Sequence, residues 1–241
     1  MEIIDIFGLK LKILTKKDIF YEEEACKFII PVNSDIIIKA NKCLRMKNLI
    51  ENNYVTIDGQ IPFFIIKLFF PKSKIEKISG SDLIYDFCEY AEKYKKSLFL
   101  IGGSEKSNLL AVYKLREKYR IKINGISPPF EEYPFSKKFD SIIFEKIIDF
   151  KPDLIFVGFG TPKQEFWLDD NIKFLFDNGV RYAIGCGGTI DFVSGVKIRA
   201  PKIIQYIGLE GIWRLLIEPK LFRLKRIIDS FMIFRYMFKK S

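Results

Sequence analysis

Leu154–Glu165 reads LIFVGFGTPKQE: four strand-forming apolar residues meet two glycines, then Thr-Pro, then charge. A run without polar alternation suits a central parallel strand covered on both faces. Gly158 and Gly160 permit backbone angles closed to other residues and let another group come close. Thr161 is a favoured N-cap, Pro162 fits the first helical position, and Gln164 completes a Thr-x-x-Gln capping box. The stretch therefore predicts a strand, a tight turn and a helix over 162–177. Two readings of Gln164 stand. It is a helix cap, or it belongs to a ligand site beyond the carboxyl end of a strand, where helix N–H groups favour phosphate.

Working outward, the same alternation recurs. Apolar runs predict strands at 28–32, 54–57, 97–101, 121–126 and 180–186. Helical patterns predict helices at 34–50, 82–94, 105–119 and 136–149, residues 61–70 read as a buried helix with a strand as the alternative at that length, and the first fourteen residues suit a hairpin. This order implies an α/β fold: a mostly parallel, Rossmann-like sheet with helices on both faces. Three strand ends carry glycines, at 102–103, 158–160 and 185–188, which suggests a shared crevice. None of them fits G-x-G-x-x-G, and no Walker lysine pattern occurs, which disfavours a nicotinamide dehydrogenase or a P-loop enzyme.

Composition narrows the chemistry. The chain has 241 residues, 49% hydrophobic and 15% aromatic, enough for a large core and too apolar for disorder. The N-terminal stretch lacks the basic start and apolar block of a signal peptide. The strongest apolar run, IPFFIIKLFF at 61–70, contains Lys67 and is too short to cross a bilayer as a helix. Cys26, Cys43, Cys88 and Cys186 have no metal or redox spacing and read as reduced thiols of a cytoplasmic protein. There is no histidine, so Ser-His-Asp and Cys-His catalysis are excluded and any general base is Asp, Glu, Lys or Tyr. No Asp-x-Asp pair is present to hold a metal on a sugar nucleotide.

The net charge of +10 is unevenly placed. From Val196 onward 11 basic residues face 3 acidic ones, a net +8, leaving +2 for everything before. This segment holds no strand-like unit ending in glycine. It reads as two or three helices broken at Pro201 and Pro219. In the last of them Leu221, Leu224, Ile228, Phe231, Phe234 and Phe238 recur at three- and four-residue steps. The expected division is a catalytic core over 1–195 and a basic helical appendage over 196–241, with an anionic partner for the appendage.

Three blocks, VGFGTPKQEFW, AIGCGGTIDFVSGVKIRAP and GLEGIWRLLIEPKLFRLKR, occur in that order and resemble the signature blocks of the WecG/TagA/CpsF glycosyltransferases, glycosyltransferase family 26. Upstream, PVNSD, IDGQ and ISGSD fall where that family has its Thr-x-Asn, Asp-Gly and Gly-Ser-Asp segments. The resemblance implies an inverting, metal-independent transferase with no cofactor. It would move N-acetylmannosamine or a related sugar from a UDP donor to a polyprenyl-diphosphate-linked saccharide, for teichoic acid, capsule or similar glycans. It further implies that Asp58 is the base. Asn33, Gly160, Gln164, Gly187, Gly188 and Thr189 would line the donor site, with Arg214, Arg223 and Arg226 of the appendage on the diphosphate. The appendage would close the site and hold the enzyme at the inner face of the plasma membrane. Homo-oligomerisation stays open.

The chain departs from the pattern at Pro31, which replaces the Thr of Thr-x-Asn, at Lys77, where Arg is common, and at Gly211 and Trp213. Two alternatives remain: a related UDP-sugar transferase with another donor or a soluble acceptor, and a non-enzymatic nucleic-acid binder. No RNA- or DNA-binding motif supports the second, and no nucleic-acid partner is expected.

Overall fold

A computed structural model describes residues 1–21 and 25–240. The strands are β1 (Glu2–Ile6), β2 (Leu9–Ile13), β3 (Lys27–Val32), β4 (Tyr54–Ile57), β5 (Ser97–Gly102), β6 (Lys122–Ile126), β7 (Leu154–Gly158) and β8 (Tyr182–Gly185). They form one sheet in the order β1-β2-β4-β3-β8-β7-β5-β6. β1 and β2 pair antiparallel, as the expected hairpin; β2–β4, β3–β8, β8–β7, β7–β5 and β5–β6 are parallel.

The helices are α1 (Lys16–Ile19), α2 (Ser34–Lys42), α3 (Leu44–Asn52), α4 (Gln60–Phe69), α5 (Gly80–Tyr94), α6 (Glu105–Tyr119), α7 (Lys137–Phe150), α8 (Lys163–Asp177) and α9 (Thr189–Ser194). Four more follow: α10 (Lys202–Tyr206), α11 (Glu210–Ile217), α12 (Leu221–Ser230) and α13 (Ile233–Tyr236). The expected α/β fold with a helical C-terminal end is what the chain adopts. β3 and β5 are buried at every position and β7 through Val157. Successive strand residues point to opposite faces, so these strands are covered on both sides.

The chain divides into two compact units. One comprises Phe20–Ile29 and Gly80–Ile198. Its centre is aromatic: Phe87 meets Phe20, Tyr182 and Phe156 at ring-centroid distances of 5.0, 5.2 and 5.6 Å, and Tyr90 stacks on Phe20 at 4.8 Å.

The other comprises Met1–Ile19, Ile30–Ser79 and Arg199–Ser241. Its hairpin turns on Phe7 and Gly8, with φ of +60° and +71°, the mirror-image geometry that matches strand twist. Phe7 is fully buried, which holds an aromatic residue in a conformation it otherwise avoids. Gly8 N–H donates to Lys239 O at 2.6 Å. A β-carbon at Gly8 would sit 2.8 Å from both Asn41 Oδ1 and Lys239 Cδ. The C-terminal segment thus closes on the hairpin, and Ile233 is fully buried in the same unit.

Three local expectations are corrected. The helix expected over 34–50 is two helices, because Cys43 is extended (φ −133°, ψ 112°) between α2 and α3. Among the described residues the tail has four helical pieces; a break falls at Gly208, whose φ is +80°. The helix expected over 221–238 tightens after Ser230. Phe231 N–H bonds Ile228 O and Met232 N–H bonds Asp229 O, three residues back in each case, so α12 ends and α13 restarts. Its six apolar residues face solvent, with exposures from 43% at Leu224 to 86% at Leu221.

Candidate active site

In the unit of Gly80–Ile198, β5 leads through α6 to β6 on one side, while β7 leads through α8 to β8 on the other. β5 and β7 are neighbours whose connections diverge, and such a switch point opens a crevice beyond the strand ends. The glycine loops at 102–103, 158–160 and 185–188 lie there in close backbone contact. A β-carbon on Gly102 would stand 2.8 Å from Gly158 O, and one on Gly158 would stand 2.8 Å from Gly187 O. Gly160 (φ +81°) and Gly187 (φ +53°) differ: a β-carbon on either would meet nothing within 4 Å. Their glycines answer to backbone angle, and they present bare main chain to open space.

The buried Gln164 side chain ties two of these loops together. Its Oε1 accepts from Gly160 N–H at 3.1 Å and from Gly187 N–H at 3.0 Å, and its Nε2 donates to Glu165 Oε1 at 2.7 Å. These bonds occupy both Oε1 lone pairs and one amide hydrogen. The expected capping box is not formed. α8 begins at Lys163 with Pro162 at the cap and no side-chain cap bond, and Thr161 Oγ1 instead donates to Glu165 Oε1 at 3.1 Å. The reason is competition: the fully buried Glu165 carboxylate draws the hydroxyl that would otherwise cap.

Thr189 is equally committed. Its Oγ1 donates to Cys186 O at 2.6 Å and lies 3.2 Å from Ser81 Oγ. Gly188 precedes it as the N-cap residue of α9. Burial drives the Cys186 thiol well above its ordinary range, which disfavours the thiolate a nucleophile needs. The pattern reading missed two supports. Glu165 is one; its only signal was a Gln-Glu pair directly after a strand and turn. Asn108 is the other: from α6 its Nδ2 donates to Leu100 O, Gly102 O and Ile126 O at 3.2, 2.9 and 3.1 Å. It holds the ends of β5 and β6 in place.

In the other unit, Asn33 and Asp58 follow β3 and β4, which are neighbours. Asp58 N–H donates to Val32 O at 2.8 Å, and a β-carbon on Gly59 (φ +105°) would lie 3.9 Å from Asn33 Cβ. Asn33 is the N-cap of α2, its Oδ1 accepting from Ile36 N–H at 3.1 Å. Pro31 lies beyond the registered pairing of β3 with β8, which ends at Ile29. Asp58 is half-buried and leads through Gly59 straight into α4.

The basic candidates lie on the tail helices of this unit. Arg214 pairs with Glu210 at 2.5 Å, and Arg223 pairs with Glu218. The side chain of Arg226 lies outside the described residues. Arg199, which pattern reading also passed over, donates from Nη2 to Ser79 Oγ at 3.1 Å, and Lys77 Nζ reaches Gln205 O at 3.4 Å. The tail also presses on the residue after the Asp58–Gly59 pair: a β-carbon on Gly208 would sit 3.0 Å from Gln60 Cβ.

The structure thus gathers Gly160, Gln164, Gly187, Gly188 and Thr189 around one set of glycine loops, and Asn33 with Asp58 at adjoining strand ends. Among the described residues no helix is long and apolar enough to cross a membrane. A family model described as "Glycosyl transferase WecG/TagA/CpsF family" matches residues 4–241, and the chain belongs to that family of glycosyltransferases.

Proposed function

We propose that this chain is an inverting transferase that moves N-acetylmannosamine or a related sugar from a UDP donor to a polyprenyl-diphosphate-linked saccharide. Asp58 is the base. Its carboxylate takes the proton of the acceptor hydroxyl as that oxygen bonds to the anomeric carbon of the donor. The bond from that carbon to the β-phosphate oxygen breaks on the opposite face, and UDP leaves with the electron pair. The observation that carries this reading is the family match over almost the whole chain, with Asp58 held at a strand end beside Asn33.

Diphosphate charge falls to Arg214, Arg223 and Arg226 rather than to a metal. A guanidinium binds phosphate oxygens in a bidentate fork and keeps its charge throughout. The local carboxylates that hold Arg214 and Arg223 act as placeholders for the ligand. Gly187, Gly188 and Thr189 lie along the nucleotide, and the bare main chain at Gly160 and Gly187 leaves room for it. Gln164 serves the donor by fixing these loops. The basic segment 196–241 closes over the site and holds the enzyme at the inner face of the plasma membrane, where the acceptor resides.

The test is a thermal-shift panel of UDP-sugars in EDTA, followed by transfer to a polyprenyl-diphosphate-linked N-acetylglucosamine. A ligand stabilises according to its occupancy of the folded state, so one donor should stand out and should then be consumed. A strict Mg²⁺ or Mn²⁺ requirement would overturn the metal-free reading.

A further inference from the structure

α4 breaks the usual rule for a surface helix. Its sequence, QIPFFIIKLF, is apolar nearly all round, yet Phe64, Leu68 and Phe69 are 56%, 72% and 38% exposed. A helix apolar on every face is ordinarily buried in a core or in lipid. The single charge on it does not serve the outer face: Lys67 Nζ is turned back to Ser73 O at 2.6 Å and stands 6.0 Å from the Phe63 ring centroid. Beyond the helix come the exposed Lys72 and Lys74. Residues 60–75 carry three lysines and no acidic residue.

The tail meets this helix at both ends. Gly208 rests on Gln60 at its start, and the Phe238 ring lies 5.4 Å from that of Phe69 at its finish. The outward apolar residues of the tail therefore continue into those of α4 within one compact unit. Basic Arg235, Lys239 and Lys240 stand beside Phe238, and residues 230–240 also lack any acidic residue.

We infer that α4 is itself a membrane-contacting element, and that Phe64, Leu68 and Phe69 enter the interface of an anionic bilayer while Lys72 and Lys74 lie among lipid phosphates. The charge pattern selects this occupant. A two-fold contact with a second copy would set this lysine-rich patch against itself with only Glu2, whose carboxylate accepts from Lys74 N–H at 2.6 Å, to offset the like charge, whereas anionic lipid neutralises the outward Lys72 and Lys74. Apolar side chains rimmed by Lys and Arg are the composition of an interfacial helix. At 1.5 Å per residue, Phe64 and Leu68 lie about 6 and 12 Å along the axis from the start of α4, where Asp58–Gly59 leads in. Seating α4 in the interface therefore keeps Asp58, which leads directly into the helix, close to the lipid surface. This deepens the proposed function, which supplies the reason for that proximity.

The test uses the full chain and phosphatidylglycerol vesicles at low salt. Phe64→Ser/Leu68→Ser should bind at least tenfold more weakly, a factor equal to about 1.4 kcal/mol, with Tm unchanged because both side chains face solvent. Leu68→Trp should show a blue-shifted emission on the vesicles and be quenched by brominated phosphatidylglycerol. The inference is overturned if the double variant binds as the parent does, or if Trp at 68 on a vesicle-bound chain is not quenched. It is also overturned if the double substitution only turns a dimer into a monomer in sedimentation while vesicle binding persists. Transfer to a water-soluble acceptor, measured without vesicles, keeps the two readings apart. Transfer in that assay together with no insertion of α4 in the vesicle assay defeats this inference alone, and insertion on vesicles without transfer from any UDP-sugar defeats the proposed function alone.

Discussion

Gln164→Leu separates a clamp from a sugar contact. Leucine keeps nearly the same volume, so the change leaves no large cavity and removes three hydrogen bonds: those from Gly160 and Gly187, and that to Glu165. Each is worth about 1 kcal/mol net, and a buried partner left unmet costs about 1–3 more. Gly160 and Gly187 are half-buried, so water recovers part of their loss; Glu165 is fully buried and recovers little. The expected destabilisation is about 2 to 4 kcal/mol, a fall in Tm of about 4 to 16 °C for a chain of this size. Scanning fluorimetry measures it, and titration calorimetry with UDP reports the loops, which should bind more weakly once untied. A variant that keeps the parent Tm but loses UDP-sugar binding would refute the clamp and make Gln164 a direct ligand contact. Gln164→Glu adds a sign test. It keeps both accepted bonds but sets a carboxylate against Glu165, so one of the pair must hold a proton in the folded state. Its pKa is then raised above the unfolded value, and the variant's stability is greatest at low pH and declines as pH rises. It should lie nearer the parent at pH 5 than at pH 8.

Asp58→Asn should bind the UDP donor as before and lose transfer by about 100- to 10,000-fold; single-turnover transfer at the parent rate would remove Asp58 as the base. Phe87→Ala takes a fully buried ring from contact with Phe20, Phe156 and Tyr182 and should cost about 3 to 5 kcal/mol in chemical unfolding. At pH 8 the half-buried Cys43 should react first with a disulfide reagent. Burial pushes the Cys26 and Cys88 thiols up to about 12 and raises Cys186 as well. The buried Cys88 and Cys186 should wait for unfolding, with the half-buried Cys26 slowed by its raised pKa, and a single fast phase of four thiols would contradict this order. Because the folded thiols hold their protons more tightly, stability should fall as pH rises from about 9, where unfolded thiols ionise, towards 12.

The parallel core was legible because its strands are buried on both faces. Such strands lose all alternation, and LIFV followed by glycine leaves few alternatives. The glycine loops were legible for the same reason, since three strands ended in the same residue type. The break at Cys43 was not, for ANKCLRMK contains neither Gly nor Pro and the apolar period runs through it. The capping box failed because Thr-x-x-Gln assumes both side chains turn to the helix end. Here a buried carboxylate takes the hydroxyl, and a second loop, more than twenty residues on, takes the amide oxygen. Long-range partners of this kind leave no local mark, and Asn108 escaped notice for that reason too. The aromatic period at 221–238 was real, but periodicity alone does not say whether the apolar face looks inward or outward.

The bond from Gly8 to Lys239 has a consequence for synthesis. The unit holding Asp58 is assembled from the first, second and last parts of the chain, with Gly80–Ile198 lying between them in sequence. At ribosomal rates of about 5–20 residues per second, that intervening stretch takes roughly 6 to 24 s to emerge. During this time the hairpin, α2 and α4 have no tail to close on, while the unit of Gly80–Ile198 already has all its segments. A nascent chain released before Arg199 would carry one unit with every segment present and the other unfinished. The unit that carries Asp58 therefore cannot be completed until residues 199–241 have been synthesised.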